Sequence, residues 1–436
     1  LCFAIAGLPV VAACAGPTPG GAPPGTDACR SASVVSVPPH RDRFGVRLGV
    51  LDDLNGDGVP EIAVADPCTE TDCVAGLVRV VSLNDRDELF AIRIEGEAGR
   101  VIALAPLENC DGDGVRDLAI GLPNCDPEHG GGRVRIVSGS SGSEIRTIRL
   151  GPESGEASSM ASFGAALAAI RAPTESPPAR LATFDMGRRE HVREFRGRVT
   201  LVDLGGSPAW SLEGAERGEA LGRSLDAVGD ADGDGWGDVV VRNRAGRVLL
   251  LSGRTGAALF DAVLPWSGST YDSAALLPDI DGDAIPELVV GSCPQEDDSG
   301  TFGSITCYSW SRGTELWSVD GSIAFGWGLG AALEVVGDLD GDDVSDVAVT
   351  AMFEGRLHLL SGRDGSCIDR SERHGIWFGA VLESIGDIDS DGIEDLVVGN
   401  ALDAPRALSV PGTLYVWRSS RPGEVRAVCS RRDLER

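Results

Sequence analysis

A nine-residue pattern of acidic and glycine residues recurs six times, and its chemistry is that of a ligand set for a hard cation. It reads DLNGDGVPE at 53–61, NCDGDGVRD at 109–117, DADGDGWGD at 230–238, DIDGDAIPE at 279–287, DLDGDDVSD at 338–346 and DIDSDGIED at 387–395. Acids or amides at positions 1, 3 and 5 turn alternate side chains towards one centre. Position 7 offers a backbone carbonyl, and the acid at position 9 closes the set with two oxygens. The expected ligands are Asp53, Asn55, Asp57, Val59 and Glu61 in the first loop and Asn109, Asp111, Asp113, Val115 and Asp117 in the second. The next two loops offer Asp230, Asp232, Asp234, Trp236 and Asp238, then Asp279, Asp281, Asp283, Ile285 and Glu287. The last two offer Asp338, Asp340, Asp342, Val344 and Asp346, then Asp387, Asp389, Asp391, Ile393 and Asp395.

Oxygen ligands in a flexible loop suit Ca²⁺, which takes six to eight of them at about 2.3–2.6 Å, and disfavour Mg²⁺. A set without His or Cys disfavours Zn²⁺. About six Ca²⁺ per chain are therefore expected. Glycine suits position 6, where the chain reverses. Ala284 and Asp343 stand there instead, so the Asp279 loop is expected to be the weakest or most distorted. Cys110 falls between ligand positions and should point away. The ligand positions of the six loops hold 22 carboxylates, and six ions would take the formal charge from −29 to −17.

The elements that carry these loops repeat with them. The loops start at 53, 109, 230, 279, 338 and 387, and the gap of 121 residues after the second is wide enough to hide one more copy. Phe44-Gly45 and Phe378-Gly379 each begin nine residues before a loop, and Phe163-Gly164 occurs inside the gap. Nine residues on lies 172–180 (APTESPPAR), a loop of the same length without acids at the ligand positions. Arg180 stands where the others place Asp or Glu, and this copy is expected to hold no metal, with Arg180 standing in for it.

Each of the seven repeats runs through an apolar strand, the acidic loop and a β-branched strand such as 238–241 (DVVV). A Gly-initiated strand such as 246–251 (GRVLLL) follows, then a tight turn such as 252–256 (SGRTG) into a fourth strand. Four short antiparallel strands repeated seven times predict an all-β fold, a seven-bladed β-propeller with the calcium loops between first and second strands. The segment 33–38 (SVVSVP) reads as an extra strand able to pair into the last blade beside 424–429 (EVRAVC).

The Phe-Gly starts, the D-x-D-x-D-G-x-x-D loops and the turns at 65–67 and 121–123 resemble the FG-GAP repeats of integrin α-subunit propellers. The resemblance covers most of the chain. It implies calcium-stabilised blades and a ligand face at the end opposite the calcium loops. A sparser Gly-x-x-x-aromatic echo (206–210, 256–260, 313–317) resembles the docking motif of quinoprotein propellers, and its aromatics are expected to fill between blades.

Composition fits an extracytoplasmic chain. Residues 1–11 are apolar and uncharged, and 11–14 (VAAC) resembles a bacterial lipobox with Cys14 as the lipidated residue. The same stretch also fits an ordinary signal cleavage site. The expected organisation is a signal segment at 1–15, a Pro/Gly linker at 16–27 and the propeller at 28–436. This places the protein on a bacterial outer surface or in the periplasm if lipid-anchored, or outside the cell if secreted. Cys68 and Cys73 are spaced for a local disulfide, and Cys29 and Cys429 are placed to staple the two ends. A net charge of −29 argues against nucleic acid and anionic membrane as partners.

The five histidines fall in different repeats, and no nucleophile or phosphate-binding motif is present in the sequence. The expected function is a non-catalytic protein-binding, adhesion or scaffold module with an extracellular protein or glycan as partner. The alternatives are a carbohydrate-binding lectin-like propeller and, behind it, a polysaccharide-degrading enzyme on the same scaffold. Among the loops opposite the calcium end, 185–197 (DMGRREHVREFRG) stands out as basic, and Arg188, Arg189 and Arg193 are the expected ligand contacts.

Overall fold

The computed structural model describes residues 32–35, 47–66, 75–95, 103–123, 132–149, 163–172, 180–185, 196–243, 245–264, 271–293, 302–321, 327–375, 377–400 and 413–419. They form seven four-stranded antiparallel sheets and no helix. Blade 1 comprises Leu48–Val50, Ile62–Asp66, Ala75–Val81 and Glu88–Glu95, and blade 2 Ala103–Leu107, Asp117–Leu122, Arg133–Val137 and Glu144–Ile148. Blade 3 comprises Leu167–Ile170, Arg180–Asp185, Arg198–Asp203 and Pro208–Glu213, and blade 4 Ser224–Val228, Asp238–Arg242, Arg247–Leu251 and Ala258–Val263. Blade 5 comprises Tyr271–Leu277, Glu287–Cys293, Ser304–Ser309 and Thr314–Asp320, and blade 6 Leu329–Val336, Asp346–Ala351, Arg356–Leu360 and Cys367–Arg370. Blade 7 takes Phe378–Gly386, Asp395–Asn400 and Thr413–Trp417 from the end of the chain and Ala32–Val35 from its beginning.

The first strand of each blade contacts the first strands of both neighbouring blades, and blade 7 meets blade 1, so the ring closes. Closure also uses the chain's own start: Ala32 pairs with Trp417 and Val35 with Leu414, antiparallel. The extra strand thus does enter the last blade, in the outer position beside Thr413–Trp417. Its expected neighbour at 424–429 lies outside the described residues.

Seven apolar clusters fill the seven interfaces between successive blades. One joins Leu51, Ala63 and Val78 of blade 1 to Leu104 and Ile120 of blade 2, and another joins Val397 and Leu414 of blade 7 to Leu48 and Ile62 of blade 1. A sheet with neighbours on both faces needs a continuous apolar run rather than an alternating one. The second strands show this: Asp117–Leu122 and Asp346–Ala351 are buried throughout. The outer strands alternate, as in Pro208–Glu213.

Aromatic residues close the gaps at the outer edge. Trp210 Nε1 donates to Gly253 O of blade 4 at 3.3 Å, and Trp317 Nε1 donates to Gly362 O of blade 6 at 2.9 Å. A Cβ on Gly256 or Gly365 would lie 2.7 Å from the rings of Trp210 and Trp317 respectively, so these two turns need glycine beneath the neighbouring blade's tryptophan. The sparse aromatic echo in the sequence is this inter-blade packing.

Candidate metal centres

Strand direction puts all the first-to-second loops on one face of the ring, together with the turns between third and fourth strands. The carboxylates of the acidic loops converge, among them Asp53, Asp57 and Glu61; Asp111, Asp113 and Asp117; Asp230, Asp232 and Asp234; Asp279, Asp281, Asp283 and Glu287; Asp338, Asp340 and Asp346. Within each group one oxygen per residue lies within 4.8 Å of the others.

Backbone amides hold the loops open in this shape. Asp53 Oδ1 accepts from Gly56 N at 2.7 Å and Oδ2 from Gly58 N at 2.8 Å. Asp230, Asp279, Asp338 and Asp387 accept likewise from their own loops. These amides, Gly58 N foremost, hold the Asp53 carboxyl below its ordinary range. At position 5, Asp57 accepts from Val59 N at 2.9 Å, which fixes the reversal before position 7.

The position-9 acid joins loop to blade. Asp238 is fully buried, accepting from Ala231 N at 2.8 Å and from Gly253 N at 2.9 Å. Asp346 and Asp395 make the matching pairs of bonds. Burial pushes these carboxyls up, Asp238 and Asp346 to about 6 and Asp395 to about 7. A buried anion with so few donors is stabilised by a cation. The clearest case is Glu287, which is 1% exposed and whose Oε1 has no hydrogen-bond partner. Oxygen-only donors converging around such an atom fit a calcium ion.

Position 4 carries a requirement that motif reasoning missed. Gly56, Gly112, Gly233, Gly282 and Gly341 occupy it with φ of 75–85°, and Ser390 with φ 62°. Glycine at that position in five of six copies was the available signal. At position 6, Ala284 and Asp343 both sit at φ 66°, as the reversal demands. Left-handed backbone costs a residue with a Cβ about 1–2 kcal/mol, part of which glycine gives back through its freer unfolded chain. Ala284→Gly is therefore expected to raise stability in chelator by about 0.5–1 kcal/mol. Urea unfolding of the two proteins checks it, and an unchanged or lowered midpoint would remove the strain argument. Cys110, as expected, packs against the core between blades 2 and 3, and burial pushes its thiol up to about 12.

The third blade departs from the others. Arg180 opens its second strand, and its guanidinium reaches the next blade. Nη1 donates to the carbonyls of Gly253 at 3.3 Å and Arg254 at 3.2 Å, and the group lies 4.0 Å from the Trp236 ring centroid. Loop residues 173–179 lie outside the described set, as do Arg188, Arg189, Arg193, Cys14, Cys29, Cys68, Cys73 and Cys429. His358 is buried in its strand, the ordinary setting for a packed histidine.

A central channel of about 820 Å³ is lined by the first strands of all seven blades. Asp226, Glu334 and Glu383 face it. Burial, then the Asp226 charge, raises the Glu383 carboxyl to about 7, and Glu334 is raised too, by burial and then by Glu383. Arg242 bonds Asp226 and donates to Ser273 O at 2.8 Å.

Comparison with known proteins agrees with this architecture. A 114-residue stretch, 24% of the chain, is 31% identical to integrin α-X of Homo sapiens and spans 10% of that protein. A 161-residue stretch, 33% of the chain, is 28% identical to integrin α-V of Gallus gallus and spans 15% of it. Protein FAM234B of Homo sapiens is 25% identical over 34% of this chain and 25% of its own length. The chain thus spans between a tenth and a quarter of these curated relatives. No family model matches it. Among solved structures, BBS1N in complex with ARL6DN superposes with a TM-score of 0.55 at 11% identity, covering 91% of this chain and 98% of that one. U3-55K superposes with a TM-score of 0.53 at 15% identity over 90% and 99%. These two share the fold. Similarity and fold together describe an integrin-α-like, seven-bladed propeller.

Proposed function

We propose that this chain is a calcium-stabilised, extracytoplasmic propeller that binds a protein partner and performs no catalysis itself. The observation that carries the reading is the repeated carboxylate cluster on one face of the ring, completed by a buried Glu287 oxygen that nothing else satisfies. Residues 53–61, 109–117, 230–238, 279–287, 338–346 and 387–395 would hold the ions. The ions supply charge neutralisation and a tie between first and second strands. Blade 3 relies on Arg180 and its bonds to blade 4. Similarity to integrin α chains supports protein recognition at the opposite face.

On that face we assign the contact to Arg188, Arg189 and Arg193, a basic set on a chain of charge −29, suited to an acidic protein surface. The experiment is partner capture by the calcium-loaded chain, repeated with all three arginines changed to Glu, alongside a glycan array. Retention of a protein, its loss in the triple variant at unchanged melting temperature and a blank array are the expected results. A positive array instead supports the lectin reading, and full retention by the triple variant moves the contact elsewhere. The lipid anchor at Cys14 belongs to the same proposal, and mass spectrometry of the mature N-terminus checks it.

A further inference from the structure

We propose that two arginines act as tethered competitors for the ion, Arg312 at the blade 5 loop and Arg363 at the blade 6 loop, and that each weakens the site it guards. The inference rests on the calcium reading above. Both side chains come from the turns between third and outer strands, which share a face with the loops. Arg312 Nη1 lies 2.5 Å from Asp281 Oδ2, and its Nε lies 3.6 Å from Asp283 Oδ2. Arg363 Nε lies 2.6 Å from Asp342 Oδ2, and its Nη2 donates to the Asp342 carbonyl at 2.7 Å. Positions 3 and 5 of blade 5 and position 5 of blade 6 are thereby engaged by a cation that belongs to the chain. Blade 2 differs: there the turn contributes the neutral hydroxyl of Ser140, donating to Asp113 Oδ2 at 2.5 Å. A hydroxyl orients the carboxylate without cancelling its charge.

The guanidinium does not complete the blade 5 site. It reaches Asp281 and Asp283, while Glu287 Oε1 stays buried without a partner. An ion seated there gains Glu287 and Asp279 but must displace Arg312 from Asp281. The arginine is 48% exposed, so it can swing into water, and its tether keeps its local concentration high. When the ion leaves, the arginine closes on the acids and relieves part of their repulsion. Blades 5 and 6 thus tolerate falling calcium better than the same loops would without their arginines.

The test is equilibrium dialysis of the full chain against labelled calcium. Arg312→Gln and Arg363→Gln should each tighten one site by about three- to fivefold, the upper end for a partly exposed ion pair, at an unchanged total. The glutamines keep side-chain length and polarity, and Arg312→Ala and Arg363→Ala provide a second reading should either glutamine variant fail to fold. Constants that move less than twofold in both variants overturn the inference and leave the calcium reading intact. A wild-type chain that binds no calcium overturns both. Ala284→Gly separates strain from competition, because it acts on stability in chelator while Arg312→Gln acts on affinity.

Discussion

Removing calcium is expected to lower the melting temperature of this protein by more than about 10 °C. The ligand positions of six loops hold 22 carboxylates, and without ions each loop keeps three or four of them together. At a free concentration one hundred times its Kd, one ion adds about 2.7 kcal/mol. A domain's whole stability is about 5–15 kcal/mol, so even two or three such contributions decide whether the ring holds. They do not simply add, because neighbouring blades share their apolar interfaces. Differential scanning calorimetry in chelator, in calcium and in magnesium gives the answer. Calcium should restore the transition and magnesium should restore far less of it. A melting curve indifferent to chelator would remove structural calcium from the account.

Asp238→Ala is expected to cost about 3–5 kcal/mol in calcium, more than any other single change discussed above. The carboxylate is fully buried and accepts from Ala231 N and Gly253 N, so truncation strands two amides and deletes an ion ligand together. Asp238→Asn separates the two roles. In chelator the asparagine should cost less than alanine, because its Oδ1 keeps one of the two amide bonds while its Nδ2, a donor, cannot keep the other. In calcium it should lose most of one ion's contribution. Urea unfolding of the three proteins in each buffer resolves the pattern. Equal costs for Asn and Ala in chelator would show that the charge, and not the hydrogen bonds, matters without the ion.

The blade count and the loop positions were legible because a nine-residue ligand pattern leaves little room for variation, and because buried second strands such as 238–241 carry unbroken β-branched runs. The copy at 172–180, with no acid at its ligand positions, was legible through the spacing from Phe163-Gly164, and the following strand does begin at Arg180. The destination of Arg180 was not, because its acceptors lie on a turn more than seventy residues later that only ring closure brings near. The same limit applied to Arg312 and Arg363, whose turns cross over the loops only once the third strand has folded back. The strand near the start of the chain was visible as a β-branched run. So was its entry into the last blade, but its neighbour there is Thr413–Trp417, with Val35 paired to Leu414.

The most direct measurement is anomalous diffraction from crystals grown in saturating calcium, with ions counted blade by blade. The account predicts six peaks, one within each of the acidic loops, and none beside Arg180. A peak at the third blade, or loops without ions at millimolar calcium, would contradict it.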